Sequence, residues 1–140
     1  MKSNTEFHHF PDEVICTYQK GETRTCGSSK CHPDDEKYKN KMTGETIAYY
    51  RAIEKYYKSK LVALNKEIKM TKNIYTYVFP SKLVGQGVDI VKYRFDNYIK
   101  MKEKEKESYK NAIISVRKTC ENYIEGKQKI HKRIEENKTV

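Results

Sequence analysis

The sequence predicts a mainly α-helical protein with a small N-terminal β-hairpin, an α+β chain. Its bulk is a long antiparallel helical hairpin or coiled coil that self-associates. Three observations lead there. Apolar residues recur at steps of three and four over most of residues 43–134, interrupted by one Pro/Gly-bearing stretch and one polar run. Residues 13–19 instead alternate, with a glycine turn behind them. Hydrophobic residues make up 36% of the 140-residue chain and charged residues 34%, with no Trp and 12 Tyr. That is a lean core for a deep-clefted enzyme, and it suits long exposed helices whose tyrosines bury a ring and keep the hydroxyl wet.

Taken in order, residues 1–11 are polar and read as a loose tail. "EVICTYQ", Glu13–Gln19, places Val14, Cys16 and Tyr18 on one side of a strand. Gly21 supplies the turn in "KGE", and Thr23–Cys31 returns as a second strand, interrupted at "GSS" by a bulge or loop. Thr43 reads as a helix N-cap with Glu45 in the first turn. Tyr50, Ile53, Tyr57, Leu61, Leu64 and Ile68 then form an amphipathic face that continues through Thr71, Tyr75 and Val78. "FPSKLVGQG", Phe79–Gly87, breaks the helix. A second helix of about 45–50 residues follows. Its seam runs from Val88, Val91, Phe95 and Tyr98 to Tyr109, Ala112 and Val116. It continues with a one-residue shift along Ile113, Cys120, Tyr123, Ile130 and Ile134. "KEKEKE", Lys102–Glu107, is a solvated polar interruption of that seam. The organisation is one domain, with a tail, hairpin and turn over 1–42 and the basic helical hairpin over 43–140. One thin seam between two helices buries little, so a homodimer or higher oligomer completing a four-helix arrangement is expected.

The formal net charge is +10, and its placement is uneven. Residues 1–42 balance at seven basic and seven acidic, residues 43–79 hold seven against three, and residues 80–140 hold fifteen against nine. A basic helical surface favours anionic partners: nucleic acid, a nucleoprotein complex or an acidic protein surface. Lys outnumbers Arg 24 to 5, which the coding bias of an AT-rich genome also produces. Within "AYYRAIEKYYKSK", Tyr50 and Tyr57 belong to the buried face. Tyr49 and Tyr56 fall about 100° round the helix, beside Arg51, Lys55, Lys58 and Lys60. These six, with Lys129, Lys132 and Arg133 of "KQKIHKR", are the candidate partner-binding residues. Lys and Arg would grip phosphates, and the two exposed rings would stack on bases or fill an interface. Residues 1–10 contain no apolar run of a secretion signal, and no segment approaches the length of a membrane span. A cytoplasmic protein with reduced thiols is therefore expected, without a membrane partner.

"CHPDDE", Cys31–Glu36, is the one stretch with the residue types of a metal hydrolase. It resembles the signature of the LmbE/PIG-L family of zinc-dependent N-deacetylases. That resemblance implies His32 and Asp35 as zinc ligands and Asp34 as general base. It spans six residues. The family's alternating strands and helices and its later pair of histidine ligands have no counterpart among His8, His9, His32 and His131. The same residues make a helix start, with Pro33 opening the turn and three carboxylates meeting unpaired backbone N–H groups. A zinc site of Cys16, Cys26, Cys31 and His32 is the other metal reading. Against it, Cys16 and Cys31 pack as small apolar residues inside the hairpin. No catalytic residue and no cofactor is assigned, and no nucleotide-binding glycine motif is present.

The hairpin, the "CHPDDE" joint and the helix start "TGETIAYYRA" together resemble small uncharacterised proteins of Firmicute bacteriophages and prophages, over about residues 13–53. The resemblance implies a setting: a phage accessory protein that binds and redirects a host factor, as counter-defence proteins, anti-CRISPRs included, do. The expected function is that of a non-enzymatic binding protein, a counter-defence or host-takeover factor whose basic helices dock on an anionic partner in the host cytoplasm. The alternatives are sequestration of a small nucleotide-like anion at a dimer interface, and zinc-dependent hydrolysis at the CHPDDE motif.

Overall fold

The computed structural model describes residues 2–30, 41–79 and 86–138. The elements are β1 (Ser3–His9), β2 (Glu13–Lys20), β3 (Thr23–Lys30), α1 (Lys41–Val78) and α2 (Gln86–Lys138). The protein is mostly helical, with a small antiparallel sheet in the order β1-β2-β3. None of the described helices is long and apolar enough to cross a membrane. The chain divides into two compact units, one of Met1–Tyr57 with Ile113–Val140 and one of Lys58–Ala112.

The N-terminal segment is a strand rather than a loose tail. Phe10 and Glu13 exchange backbone hydrogen bonds of 2.8 and 3.4 Å around Pro11-Asp12, which closes a tight hairpin. Ser3–His9 then pair residue for residue with Val14–Lys20. The sequence signal was the Pro-Asp turn, since proline pre-sets the backbone for the first corner. The "GSS" interruption is likewise absent, and β3 pairs with β2 without a slip from Lys20↔Thr23 to Glu13↔Lys30. Gly21 turns that hairpin with φ 62° and no other residue in it has positive φ, which is the II′ arrangement that matches strand twist.

The register puts Val14, Cys16 and Tyr18 on one sheet face, and that face packs on α1. The core cluster is Val14, Cys16 and Tyr18 against Ala48, Ala52 and Tyr56. Gly44, Ala48 and Ala52 follow at steps of four and form a small-residue stripe that lets the helix approach closely. The approach is tightest at Gly27, where an added Cβ would overlap the carbonyl oxygen of Ala48 and the amide nitrogen of Ala52. Thr25 Oγ1 donates to the carbonyl of Ala52 at 2.8 Å, and Arg51 Nη1 donates to the carbonyl of Ser28 at 2.7 Å. On the same helix start, His9 Nε2 pairs with Glu45 Oε1 at 2.7 Å.

Because α1 is helical from Lys41, Thr43 lies inside it and is not its N-cap. α1 ends at Val78 and α2 begins at Gln86, so Gln86 and Gly87 of the expected break already belong to α2, and residues 80–85 lie outside the described residues. In the first unit α2 runs antiparallel to α1, with Tyr50 and Tyr123 edge to face at 6.3 Å and Arg117 Nε donating to Glu54 Oε1 at 2.6 Å. Ile113 and Cys120 are buried along this seam, whereas Ile130 and Ile134 are exposed.

In the second unit Tyr75, Phe79 and Phe95 form a ring cluster with centroids 5.3–5.9 Å apart. Leu64 and Ile68 are its buried hydrophobic residues among those described. The polar interruption of α2 is used structurally. Lys102 pairs with Glu67 at 3.4 Å and with Glu105 at 3.7 Å, and Lys72 pairs with Glu103 at 3.0 Å. The Tyr98 hydroxyl donates to Glu67 Oε1.

Candidate anion-binding surface

A helix with mixed charges shows a net potential only if one sign is consumed locally. α1 carries Lys or Arg at eight positions and three acids, Glu45, Glu54 and Glu67. All three acids are engaged by neighbouring cationic or donor groups: Glu45 by His9, Glu54 by Arg117, and Glu67 by Tyr98 and Lys102. The Tyr98 hydroxyl, then the Lys102 ammonium, hold the Glu67 carboxyl below the usual carboxylate range. Partial desolvation alone would lower Lys102, but the Glu105 and Glu67 carboxylates outweigh it and raise it. Arg51, Lys55, Lys58, Lys66 and Lys69 are exposed. The exposed charged side chains of α1 are thus mostly cations, Arg51 and Lys55 in the first unit and Lys58, Lys66 and Lys69 in the second, while its three acids pair with groups of the sheet and of α2.

The candidate residues fall into three groups. Arg51, Lys55 and Lys58 are exposed on α1, and Lys60 is half-buried. Lys129, Lys132 and Arg133 are exposed on the last turns of α2 and are followed by Glu135 and Glu136. The two tyrosines are a correction. Tyr56 is 8% exposed and packs edge to face on Tyr18 at 5.4 Å, and Tyr49 is half-buried against the same ring at 6.2 Å. They face the sheet because the sheet occupies the second apolar side of α1, a side that a two-helix reading leaves to solvent. Burial also raises the Tyr49 hydroxyl above its ordinary range. Neither ring is available to stack on a base. Lys66 and Lys69 were missed, although they continue the stripe at steps of three and four from Lys55 past Val62.

His32, Asp34, Asp35 and Cys31 lie outside the described residues. Cys16 and Cys26 cannot share an ion. Thr17, not Cys16, stands opposite Cys26 in the ladder, so the two thiols are on opposite faces of the sheet. Cys16 is fully buried and its thiol is pushed up to about 11, first by desolvation and then by Cys26 and Glu45. Among the described residues, no group of three or more His, Cys, Asp and Glu is placed to hold a metal.

A shallow groove of about 200 Å³ opens between α1 and α2 in the first unit, lined by Arg51, Glu54, Arg117, Cys120 and Glu121. It suits a phosphate poorly. Its two arginines are spent on Ser28 and Glu54, and its two acids oppose an anion. Burial raises the Cys120 thiol, so the groove holds a neutral sulfur rather than a nucleophile. No protein-family model, curated protein or solved structure matches the chain.

Proposed function

We propose that the protein is a non-enzymatic binding protein that docks α1 on an anionic macromolecule and does so as a homodimer. The observation that carries this reading is the sorting of charge on α1. Every carboxylate of the helix is engaged by the protein itself, whereas most of its Lys and Arg side chains are exposed. A phosphate backbone fits this best, since helix-spaced Lys and Arg can follow closely spaced phosphates and release their counterions. Such a module fits the phage setting that the resemblance over residues 13–53 implies, in which a small protein redirects a host nucleoprotein as a counter-defence or takeover factor.

The test is fluorescence anisotropy with a labelled DNA duplex, a labelled single strand and labelled polyglutamate across a salt series. Binding to nucleic acid should weaken steeply with salt. Replacing Lys66 and Lys69 by Glu should cost roughly tenfold or more in affinity and flatten the salt slope by about two. Tight binding to polyglutamate but not to DNA would move the partner to an acidic protein. Binding to none of the three would remove the anionic-partner reading.

A further inference from the structure

β1 is an edge strand, and its free edge is unprotected. Phe10 and Glu13 exchange backbone hydrogen bonds, and pairs that do so alternate along an antiparallel ladder. Asn4, Glu6 and His8 therefore spend their backbone groups on β2, opposite Gln19, Thr17 and Ile15. The N–H and C=O groups of Ser3, Thr5, Phe7 and His9 point away from the sheet. Among the described residues no backbone group pairs with them. Sheet edges are normally blunted by Lys, Pro or a bulge. β1 has none of these. "SNTEFHH" holds no Lys, Arg or Pro, in a chain with 29 Lys and Arg, and its register with β2 runs without a slip. The other edge is defended. β3 carries Arg24 and Lys30, and Arg51 takes the outward carbonyl of Ser28 at 2.7 Å.

We infer that the β1 edge is the homodimer contact and that its occupant is β1 of a second copy, paired antiparallel into one continuous six-stranded sheet. The two-fold axis stands perpendicular to the sheet and passes between Phe7 and Phe7 of the partner subunit. The inference deepens the self-association part of the proposed function and rests on it. The anionic partner plays no part in it.

Charge complementarity along the strand selects both the occupant and the register. The outward backbone groups sit on odd-numbered residues, so the axis can stand at Thr5, Glu6, Phe7 or His8. At Glu6 it sets that carboxylate against Glu6 of the partner subunit. At His8 it sets two imidazoles together, and at Thr5 it sets His8 against Lys2 of the partner subunit. Only at Phe7 does each carboxylate meet an imidazole, Glu6 facing His8 of the partner subunit on both sides of the axis. These are positions without mutual hydrogen bonds, where cross-strand side chains come closest. Within one copy the Glu6 and His8 side chains already lie 4.0 Å apart and are 68% and 52% exposed. On the other face, half-buried Phe7 gains Phe7 of the partner subunit as a neighbour. A strand that matches its own reverse in this way is fitted to a second copy rather than to another protein's strand.

The sheet leaves room for the pairing. α1 runs along β2, from Gly44 at Val14 to Tyr56 at Tyr18, with Ala48 and Ala52 against Gly27 of β3. It therefore lies over β2 and β3. Across the axis the two helices stand roughly four strand spacings, about 19 Å, apart, whereas packed helices approach to roughly 8–10 Å. In the first unit α2 meets α1 through Tyr50 and Glu54, on the side away from the sheet.

The experiment is native mass spectrometry and sedimentation of the full chain up to hundreds of micromolar, because an edge pairing is smaller than a standard interface. Wild type should be two chains in low and high salt alike, since backbone hydrogen bonds carry the contact. Thr5→Pro removes an outward N–H that β2 does not use, and should give single chains that keep the wild-type circular dichroism. His8→Glu sets carboxylates against each other on both sides of the axis and should weaken the dimer about fivefold or more. Adding Glu6→Lys to that chain should restore it, which a merely misfolded variant would not do. A single-chain wild type at every concentration overturns self-association and the edge together. A two-chain wild type whose folded Thr5→Pro variant stays two-chain overturns the edge and leaves self-association standing. Should Thr5→Pro lose its fold, the exposed charge pair decides alone. Full dimerisation of His8→Glu, or no recovery with Glu6→Lys, overturns the pairing of β1 with itself.

Discussion

At the scale of single residues, steric room and thiol burial make the sharpest expectations. Gly27 has an ordinary backbone conformation, so it is required by what it touches and not by its φ. A methyl there meets backbone atoms of α1, which cannot rotate away. Gly27→Ala should therefore lower unfolding free energy by about 2–4 kcal/mol, as overpacking against a rigid neighbour does. Chemical denaturation followed by circular dichroism measures it. The cysteines make a second expectation. Cys26 is exposed, whereas Cys16 and Cys120 are buried with raised thiols, Cys16 up to about 11. Iodoacetamide at neutral pH, followed by peptide mass mapping, should label Cys26 well before Cys16 or Cys120, and denaturant should abolish the difference. Equal rates in the native protein would contradict the packing of β2 on α1.

At the scale of elements, the helix pair of the second unit depends on a polar knot of Glu67, Tyr98 and Lys102. The Glu67 carboxyl is lowered in the folded state, first by the Tyr98 hydroxyl. The stability it contributes is complete above its unfolded value of 4.5 and is lost as pH falls through the lower folded value. The Tyr98 hydroxyl is raised, first by its hydrogen bond to Glu67. Its contribution is complete below 10.0 and is lost as pH rises through the folded value. Amide exchange in residues 58–112 should thus accelerate at both extremes. Glu67→Gln should remove the acid limb while leaving exchange in β1–β3 unchanged. An acid limb that survives in that variant would assign it to other carboxylates. The same element shows how far pattern reading reaches. The seam from Tyr50 to Ile68 was legible because it obeys one period. The side of α1 that carries the sheet was not, because Gly44, Ala48 and Ala52 are too small to weigh in a hydrophobic pattern. Tyr56 was misread for that reason, and Tyr49 with it.

At the scale of the whole molecule, a chain with +10 net charge must both repel its copies and, on the proposals above, associate with one of them. Charge sorting reconciles the two. Cations make up most of the exposed charge of α1, while the exposed apolar residues of the second unit, Met70, Ile74, Tyr77 and Ile90 among them, are flanked by only a few charges, Arg94, Glu105 and Glu67. The pairing edge, β1, carries no Lys or Arg. The two associations should therefore respond to salt with opposite signs, nucleic-acid binding weakening and dimerisation holding or strengthening. What the sequence by itself determined is everything that local period and punctuation encode: two long helices, a break between them, a glycine-turned hairpin and an excess of positive charge. Only the tertiary structure decided which side of each helix is covered and which charges are spent. It turned the tyrosines inward, set Cys16 and Cys26 back to back across a sheet, and tied up the carboxylates of α1. The physical reason is that a side chain's availability depends on neighbours distant in sequence. A third strand read as a tail, and a helix face of glycine and alanine, leave almost no trace in the periodicity of the chain.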